Sequence, residues 1–250
     1  LGENPARIIA LIGPNGCGKS SVLDGILFHH SAFGALGNKG NKDHLYHSMN
    51  NDPSFDFKSI SIEFTSGTYY DARTSRKGKE NTLFSFRSPY RYNSNLNVTQ
   101  SRAVGEIYLN NYGASSASDL DDKMEENYRR LNIKLNKYMH SEDCKPSEAK
   151  EKIIGDLNES IKNCLNLEID NLGNIESSQG TIYFKKPDHP KPFSFNVLSS
   201  GEKEVVDILL DLYLRQDEYC DTVYLLDEPE LHINTSIQKK LLVEINKLKC

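Results

Sequence analysis

The chain has 250 residues, 37% of them hydrophobic and 26% charged, with a formal net charge of −5; this is enough apolar matter for one large domain or two small ones, without a run approaching the ~20 apolar residues of a membrane span. The five cysteines, odd in number and irregular in spacing, argue against a disulfide framework and fit a reducing cytoplasm. An acidic balance argues against general nucleic-acid binding but leaves room for a local basic patch, and the start at Leu1-Gly2-Glu3, with neither signal peptide nor Met, reads as a piece of a longer protein.

Arg7 to Ile12 predicts a buried strand, and Ser21 to Phe28 predicts a helix with Val22, Leu23, Ile26 and Leu27 on one face. Between them, Gly13-Pro14-Asn15-Gly16-Cys17-Gly18-Lys19-Ser20 fits G-x-x-x-x-G-K-[ST], a phosphate-binding loop. Glycines let successive backbone N–H groups turn inward around a phosphate, and the helix start adds partial positive charge. Lys19 reaches the β- and γ-phosphates, and the Ser20 hydroxyl ligates Mg²⁺. Gly13 through Ser21 are therefore the candidate ATP-binding residues, with Lys19 also catalytic. A glycine turn matching by chance is the alternative, and the strand–loop–helix context argues against it.

Ser31 to Asp52, rich in Gly, Asn, Lys and His, predicts a mobile loop. His29, His30, His44 and His47 fall in or near it; without cysteine or carboxylate partners at ligand spacing they read as solvated rather than metal-bound. Phe55 to Phe64 alternates apolar and polar residues and predicts a half-buried strand, paired across Ser66-Gly67 with Thr68-Tyr69-Tyr70. Thr82 to Phe86 predicts a further strand, completing an antiparallel β lobe. Arg73, Arg76, Lys77 and Lys79 form its basic tip, with Arg87 and Arg91 close behind, an expected face for DNA, RNA or an acidic partner. The Arg87–Tyr92 mixture of arginine and tyrosine could stack on bases, although a surface loop packed on the lobe is the plainer reading.

Asp119 to Leu167 is charged and helical in pattern. Leu120, Met124, Tyr128, Leu131, Leu135 and Tyr138 form one stripe, and a second helix follows Lys145-Pro146 from about Ser147 to Leu165. Together they predict a packed helical hairpin. Thr181–Lys185 and Phe193–Phe195 predict short strands.

Leu198-Ser199-Ser200-Gly201-Glu202-Lys203 opens a helix whose apolar side is Val205, Val206, Leu209, Leu210 and Leu212; in isolation it is only a good helix cap. Thr222 to Leu226 then predicts a buried strand ending in Asp227-Glu228-Pro229-Glu230. At that strand tip Asp227 reaches the Mg²⁺ shell beside Ser20. Glu228 points elsewhere and is the candidate base that polarises a water for in-line attack on the γ-phosphate.

The order of phosphate loop, LSSGEK and LLDEPE resembles the ABC-type ATPase domains. LSSGEK is a variant of the signature motif of those domains, keeping Ser199 and Gly201 and substituting Ser200 and Glu202. Glu202-Lys203 is similar to soluble, SMC-like members rather than to transporters. Asp227-Glu228-Pro229-Glu230-Leu231-His232 is similar to the OLD-type ATPases of bacterial antiphage systems, and more narrowly to the PtuA-like ATPases of Septu and retron systems. The resemblance implies an ATP- and Mg²⁺-dependent head that pairs head-to-tail as a homodimer or higher oligomer. Ser199, Ser200, Gly201 and Glu202 would then cover the nucleotide of a partner. It also implies a Q-loop glutamine, for which Gln100 lies in the right interval as a further metal-shell candidate, though without a clear motif. A switch histidine is implied beyond Cys250, together with a nuclease domain or separate nuclease partner.

The expected fold is thus an α/β P-loop NTPase of ABC type, with a mostly parallel core sheet, an antiparallel β lobe at about 55–112, a helical insert at about 115–168 and the signature and Asp-Glu part at 193–250. The expected activity is ATP hydrolysis that controls a nuclease or effector in the cytoplasm, without a membrane. Three rivals remain. A transporter subunit sits poorly with the polar insert. An SMC-like DNA-repair or chromosome ATPase lacks its long coiled coil here. The third is an ATP-clamped scaffold with little turnover.

Overall fold

The computed structural model describes residues 8–32, 61–64, 67–76, 83–91, 95–100, 120–121, 123–174, 179–189, 191–216 and 222–247. Ile8 to Ile12, expected as a buried strand, is not one: no described strand pairs with it, and Ile12 is 93% exposed. An apolar run becomes a strand only where a neighbour completes its backbone ladder. The glycine loop leads into α1 (Lys19–Ala32), which buries Leu23 and Leu27 while Val22 faces outward.

β1 (Glu63–Phe64) and β2 (Gly67–Thr68) form the expected hairpin, in antiparallel register with Glu63 opposite Thr68. It stops at once, because Thr68 caps α2 (Tyr69–Thr74). The Thr68 hydroxyl accepts from the Asp71 amide at 3.2 Å, and the Asp71 carboxylate accepts from the Thr68 amide at 2.9 Å. This reciprocal cap outcompetes the strand expected for Tyr69 and Tyr70. The expected strand from Phe55 to Ile60, together with Lys77, Lys79 and Thr82, lies outside the described residues.

β3 (Phe84–Arg87) is buried at every position. α3 (Met124–Glu142) and α4 (Pro146–Leu165) make the predicted hairpin. Left-handed residues end both helices, Asp143 at φ 46° and Asn166 at φ 56°. Met124, Tyr128 and Leu131 of α3 share one core with Ile153, Ile154, Leu157 and Ile161 of α4. Leu120, expected in this stripe, precedes the helix and is exposed.

β4 (Glu168–Asn174), β5 (Gln179–Lys185) and β6 (Phe193–Ser194) form an antiparallel sheet in the order β4-β5-β6, with Ile169 opposite Phe184 and Tyr183 opposite Ser194. β4 was not foreseen, since the helical reading ran on to Leu167. A 3-10 turn, Phe195–Val197, delivers the chain to α5 (Ser200–Arg215), which is buried continuously from Lys203 to Leu214 and onward to Arg215. α5 packs against both helices of the hairpin, α6 (Thr235–Lys247) packs on α4 and also touches α5, and β7 (Val223–Leu226) precedes α6.

β7 pairs in parallel with β3, Phe84 opposite Val223 through Arg87 opposite Leu226. This corrects the assignment of residues 82–86 to the antiparallel lobe. The Phe-Ser-Phe-Arg run is buried on both faces, as a strand of a parallel core sheet is. α1 packs on this pair, with Leu23 and Leu27 joining Phe84, Phe86 and Leu225 in one cluster. Among the described residues, no helix is long and apolar enough to cross a membrane.

Candidate functional site

The loop before α1 is built by its glycines. Gly16 and Gly18 sit at φ 81° and 93°, a region that disfavours side chains. A Cβ on Gly13 would lie 2.5 Å from the Cys17 sulfur, so that exposed side chain would have to turn away to admit one. Lys19 Nζ donates to the carbonyls of Gly13 at 3.0 Å and Pro14 at 3.1 Å, which holds the ammonium at the rim of the loop. Two neutral carbonyls are weaker acceptors than phosphate oxygens, so a nucleotide can draw the ammonium off them. The first turn of α1 contains no acidic residue, leaving its positive end uncompensated by its own sequence. Pro14, Asn15 and Cys17 are exposed; Ser20 and Ser21 are half-buried at the helix start.

β7 brings the second group. The Asp227 amide donates to the Arg87 carbonyl at 3.0 Å, extending the β3–β7 ladder by one bond. Its carboxylate is buried, and Oδ2 has no hydrogen-bond partner among the described residues. A buried carboxylate oxygen without a partner is costly, and a cation relieves that cost. Glu228 follows at φ 45°, unusual for glutamate, and His232 lies at φ 64°. Between them the turn is tied by Leu231 N to Glu228 O and Ile233 N to Glu230 O, both at 3.0 Å. The shared apolar cluster of α1, β3 and β7 brings the helix that follows the phosphate loop against the strand that ends at these carboxylates.

The serine–glycine turn caps α5. Glu202 Oε2 accepts from the Ser199 amide and the Ser199 hydroxyl, both at 2.9 Å, and Ser199 Oγ accepts from the Glu202 amide at 3.4 Å. Ser199 and Ser200 remain exposed. Gly201 has a different constraint. A Cβ there would stand 2.5 Å from the His232 carbonyl oxygen and 3.4 Å from Ile233 Cα, so the turn presses directly on the segment after Glu228.

Beneath these pieces lies a buried ion network that the sequence reading missed. Arg87 Nε and Nη2 each meet a carboxylate at 2.5 Å, from Asp121 and Asp207, and Nη1 lies 3.3 Å from Asp211. Asp211 also accepts from Arg215 Nε and Asn127 Nδ2, both at 2.9 Å, and Lys123 Nζ donates to the Phe86 carbonyl at 2.9 Å. Burial would raise the Asp211 pKa, but Arg215, Lys123 and Arg87 outweigh it and hold the carboxyl below its ordinary range. For Asp207 burial wins and the pKa rises, even against Arg87. Arg91 pairs with Glu204 and donates to the carbonyls of Ser88, Asp227 and Glu228. Burial, followed by Arg87, lowers its pKa to about 10, still far above neutrality. A signal for this network was available: Glu204, Asp207, Asp211 and Arg215 recur at helical spacing in an otherwise apolar helix, a charged stripe that demands buried partners.

Other candidates land elsewhere. Arg87 and Arg91 are buried in ion pairs, which removes them from the expected nucleic-acid face; Tyr90, between them, is exposed. His29 and His30 are buried rather than solvated, because the end of α1 packs on Tyr69 and Phe84. His44 and His47 lie outside the described residues, and among those described no cluster of His, Cys, Asp or Glu has metal-binding form. Gln100 is exposed and its carbonyl accepts from Arg129 of α3; nothing described joins its side chain to Ser20 or Asp227.

The chain belongs to the family described as "AAA domain, putative AbiEii toxin, Type IV TA system", whose model matches residues 8–249. No curated protein matches it. Membership makes the chain a P-loop ATPase with an α/β fold, in a family that uses ATP and Mg²⁺. The residues present fit that metal: Asp227 offers a buried, unpartnered carboxylate oxygen, and Ser20 supplies a hydroxyl in the first turn of α1.

Proposed function

We propose that this chain is an ABC-type head that binds and hydrolyses ATP, pairs head-to-tail with a second copy, and controls an associated nuclease in bacterial antiphage defence. The observation that carries the ATPase reading is the buried, unsatisfied Asp227 carboxylate at the end of β7, in the same core as the helix that follows the phosphate loop. The amides of Gly13–Ser21 and the Lys19 ammonium hold the phosphates. Ser20 and Asp227 would hold Mg²⁺, which would neutralise phosphate charge and polarise the γ-phosphoryl group. Glu228 orients the attacking water and takes its proton as the bond to the departing ADP oxygen breaks.

The exposed Ser199 and Ser200 support a role for the signature turn outside its own chain. Ser199 exchanges its bond to Glu202 for a partner's γ-phosphate, and the uncovered start of α5 adds its positive end. Similarity of the DEPELH run to OLD-type ATPases supports the defence setting and a nuclease effector, in the cytoplasm. The basic run at Arg73 and Arg76 supports contact of an acidic partner at α2. Calorimetry tests the first step: Lys19→Ala should abolish ATP binding, and unchanged affinity would overturn the assignment. Light scattering tests the second: Ser199→Arg should leave ATP affinity intact and block ATP-dependent pairing.

A further inference from the structure

Arg91 occupies an unusual position. Its side chain is 1% exposed, and its guanidinium faces three elements at once. Nε pairs with Glu204 in the second turn of α5, the helix opened by the signature turn. Nη1 donates to the carbonyl of Ser88 at 2.6 Å and of Asp227 at 3.1 Å, and Nη2 donates to the carbonyl of Glu228 at 2.8 Å. One buried cation therefore bonds the backbone of both residues of the Asp-Glu pair and the signature helix.

The contact at Gly201 works alongside it. The first turn of α5 sits against the His232 carbonyl so closely that only glycine fits. The segment from Glu228 to His232 is thus held at its start by Arg91 and at its end by Gly201, with left-handed backbone at both points. Such conformations persist only where the surroundings over-determine them. A planar fork with donors in fixed directions suits this task; a lysine would supply the charge without the geometry.

We infer that Arg91 is a positioning residue for Glu228, setting its backbone and tying it to the signature helix of the same chain, so that the turn a partner nucleotide engages and the base of the neighbouring site move as one body. This rests on the reading of Glu228 as the base. Arg91 does not itself touch substrate; it acts through the two carbonyls. Loss of the arginine should therefore lower the rate of the chemical step and leave ATP binding at the loop in place.

Single-turnover hydrolysis with the full chain tests this. Arg91→Met alone would take an ion-pair partner from the buried Glu204, so Arg91→Met is combined with Glu204→Leu, an exchange of a buried pair for apolar volume that proteins often tolerate. Arg91→Lys, with Glu204 intact, is the second variant. The double variant should bind ATP within about threefold of wild type by calorimetry and hydrolyse it roughly 10- to 100-fold more slowly, as expected when a general base is misplaced. Arg91→Lys should recover part of that loss. In a Glu228→Gln background the double variant should cost nothing further, because the group it positions is already gone. Wild-type rates in the double variant would overturn the proposal. So would an equal additional loss in the Glu228→Gln background, which would mark a purely structural role. If Glu228→Gln alone turns over at the wild-type rate, the reading of the base fails first and the proposal falls with it.

Discussion

The two sides of the molecule are built on different terms. The side carrying the phosphate loop has a small core, in which Leu23 and Leu27 of α1 pack on Phe84 and Phe86 of β3 and Leu225 of β7. The other side has a continuous core running through α3, α4, α5 and the β4–β6 sheet, with Tyr128, Leu131, Ile161, Ile182 and Phe184 fully buried. The glycine loop and the Asp227-Glu228 turn sit on the thin side and most of the burial on the thick one. Between them runs the ionic seam of Arg87, Arg91, Asp121, Asp207 and Asp211. The serine–glycine turn that caps α5 is anchored in the thick side by that helix yet presses on the carboxylate turn of the thin side through Gly201. Stability and catalysis are therefore separable by mutation on either side and inseparable at the seam.

The largest expected effect belongs to the thin side alone. Glu228→Gln retains shape and should lower ATP hydrolysis by roughly 10²–10⁴-fold, while the denaturation midpoint moves little. Phosphate release under single-turnover conditions, paired with urea unfolding, checks both halves. Equal losses of stability and rate would erase the distinction between the sides.

Breaking the seam comes next. Asp121→Ala leaves Arg87 buried with one carboxylate fewer, and removing one partner of a buried pair costs about 3–5 kcal/mol. On the thick side alone, Leu157→Ala should cost about 2–5 kcal/mol, by lost burial and a residual cavity. The two differ in kind. Leu157→Ala should leave kcat of the folded fraction unchanged, whereas Asp121→Ala should lower it, because Arg87 and Arg91 share the seam. Activity corrected for the folded fraction by circular dichroism tells them apart. Gly201→Ala is smaller still, at about 1–3 kcal/mol of overpacking against the His232 carbonyl, read as a shift in urea midpoint.

Which features could be read from the chain follows from whether the physics is local. The glycine turn before α1 and the strand that ends at Asp227-Glu228 were legible because each is set by residues adjacent in the sequence. The helical hairpin was legible because Met124, Tyr128 and Leu131 share a helical period. The partner of β3 was not, since parallel pairing with β7 joins segments far apart and leaves no local mark. The burial of Arg87 and Arg91 was hidden for the same reason: an arginine shows its charge but not its partners. Two misses were local and avoidable. Thr68-Tyr69-Tyr70-Asp71 carries the spacing of a reciprocal cap, and Glu204, Asp207, Asp211 and Arg215 mark a charged stripe on α5. For Ile8 to Ile12 hydrophobicity alone suggested a strand, and hydrophobicity does not supply a ladder partner.

The last expected effect separates the sides by pH. His30, in the last turn of α1, is fully buried; its Nδ1 shares a hydrogen bond with the Tyr69 hydroxyl at 2.6 Å, and its ring lies edge-on to Phe84 at 5.1 Å. Burial first, then the charge of Arg73 and of His29, lowers its pKa from 6.5 to about 4. The folded chain thus keeps His30 neutral where the unfolded chain protonates it. Between pH 6.5 and about 4 the unfolded state holds the extra proton, so stability is fully present above 6.5 and declines as the pH falls toward about 4. The decline is roughly 1 kcal/mol per pH unit. Asp211 on the seam behaves differently: its carboxyl is held low by Arg215, Lys123 and Arg87 against burial, so its contribution is lost only in stronger acid, below its ordinary value of 3.8. In mild acid the thin side therefore loosens while Asp211 keeps its charge. His30→Gln should lower stability at neutral pH, where the short hydrogen bond to the Tyr69 hydroxyl is disturbed. It should also flatten the fall between pH 6.5 and 4.5 relative to wild type. Urea midpoints across that range give both slopes, and parallel curves for the two proteins would show that His30 is not the group that titrates.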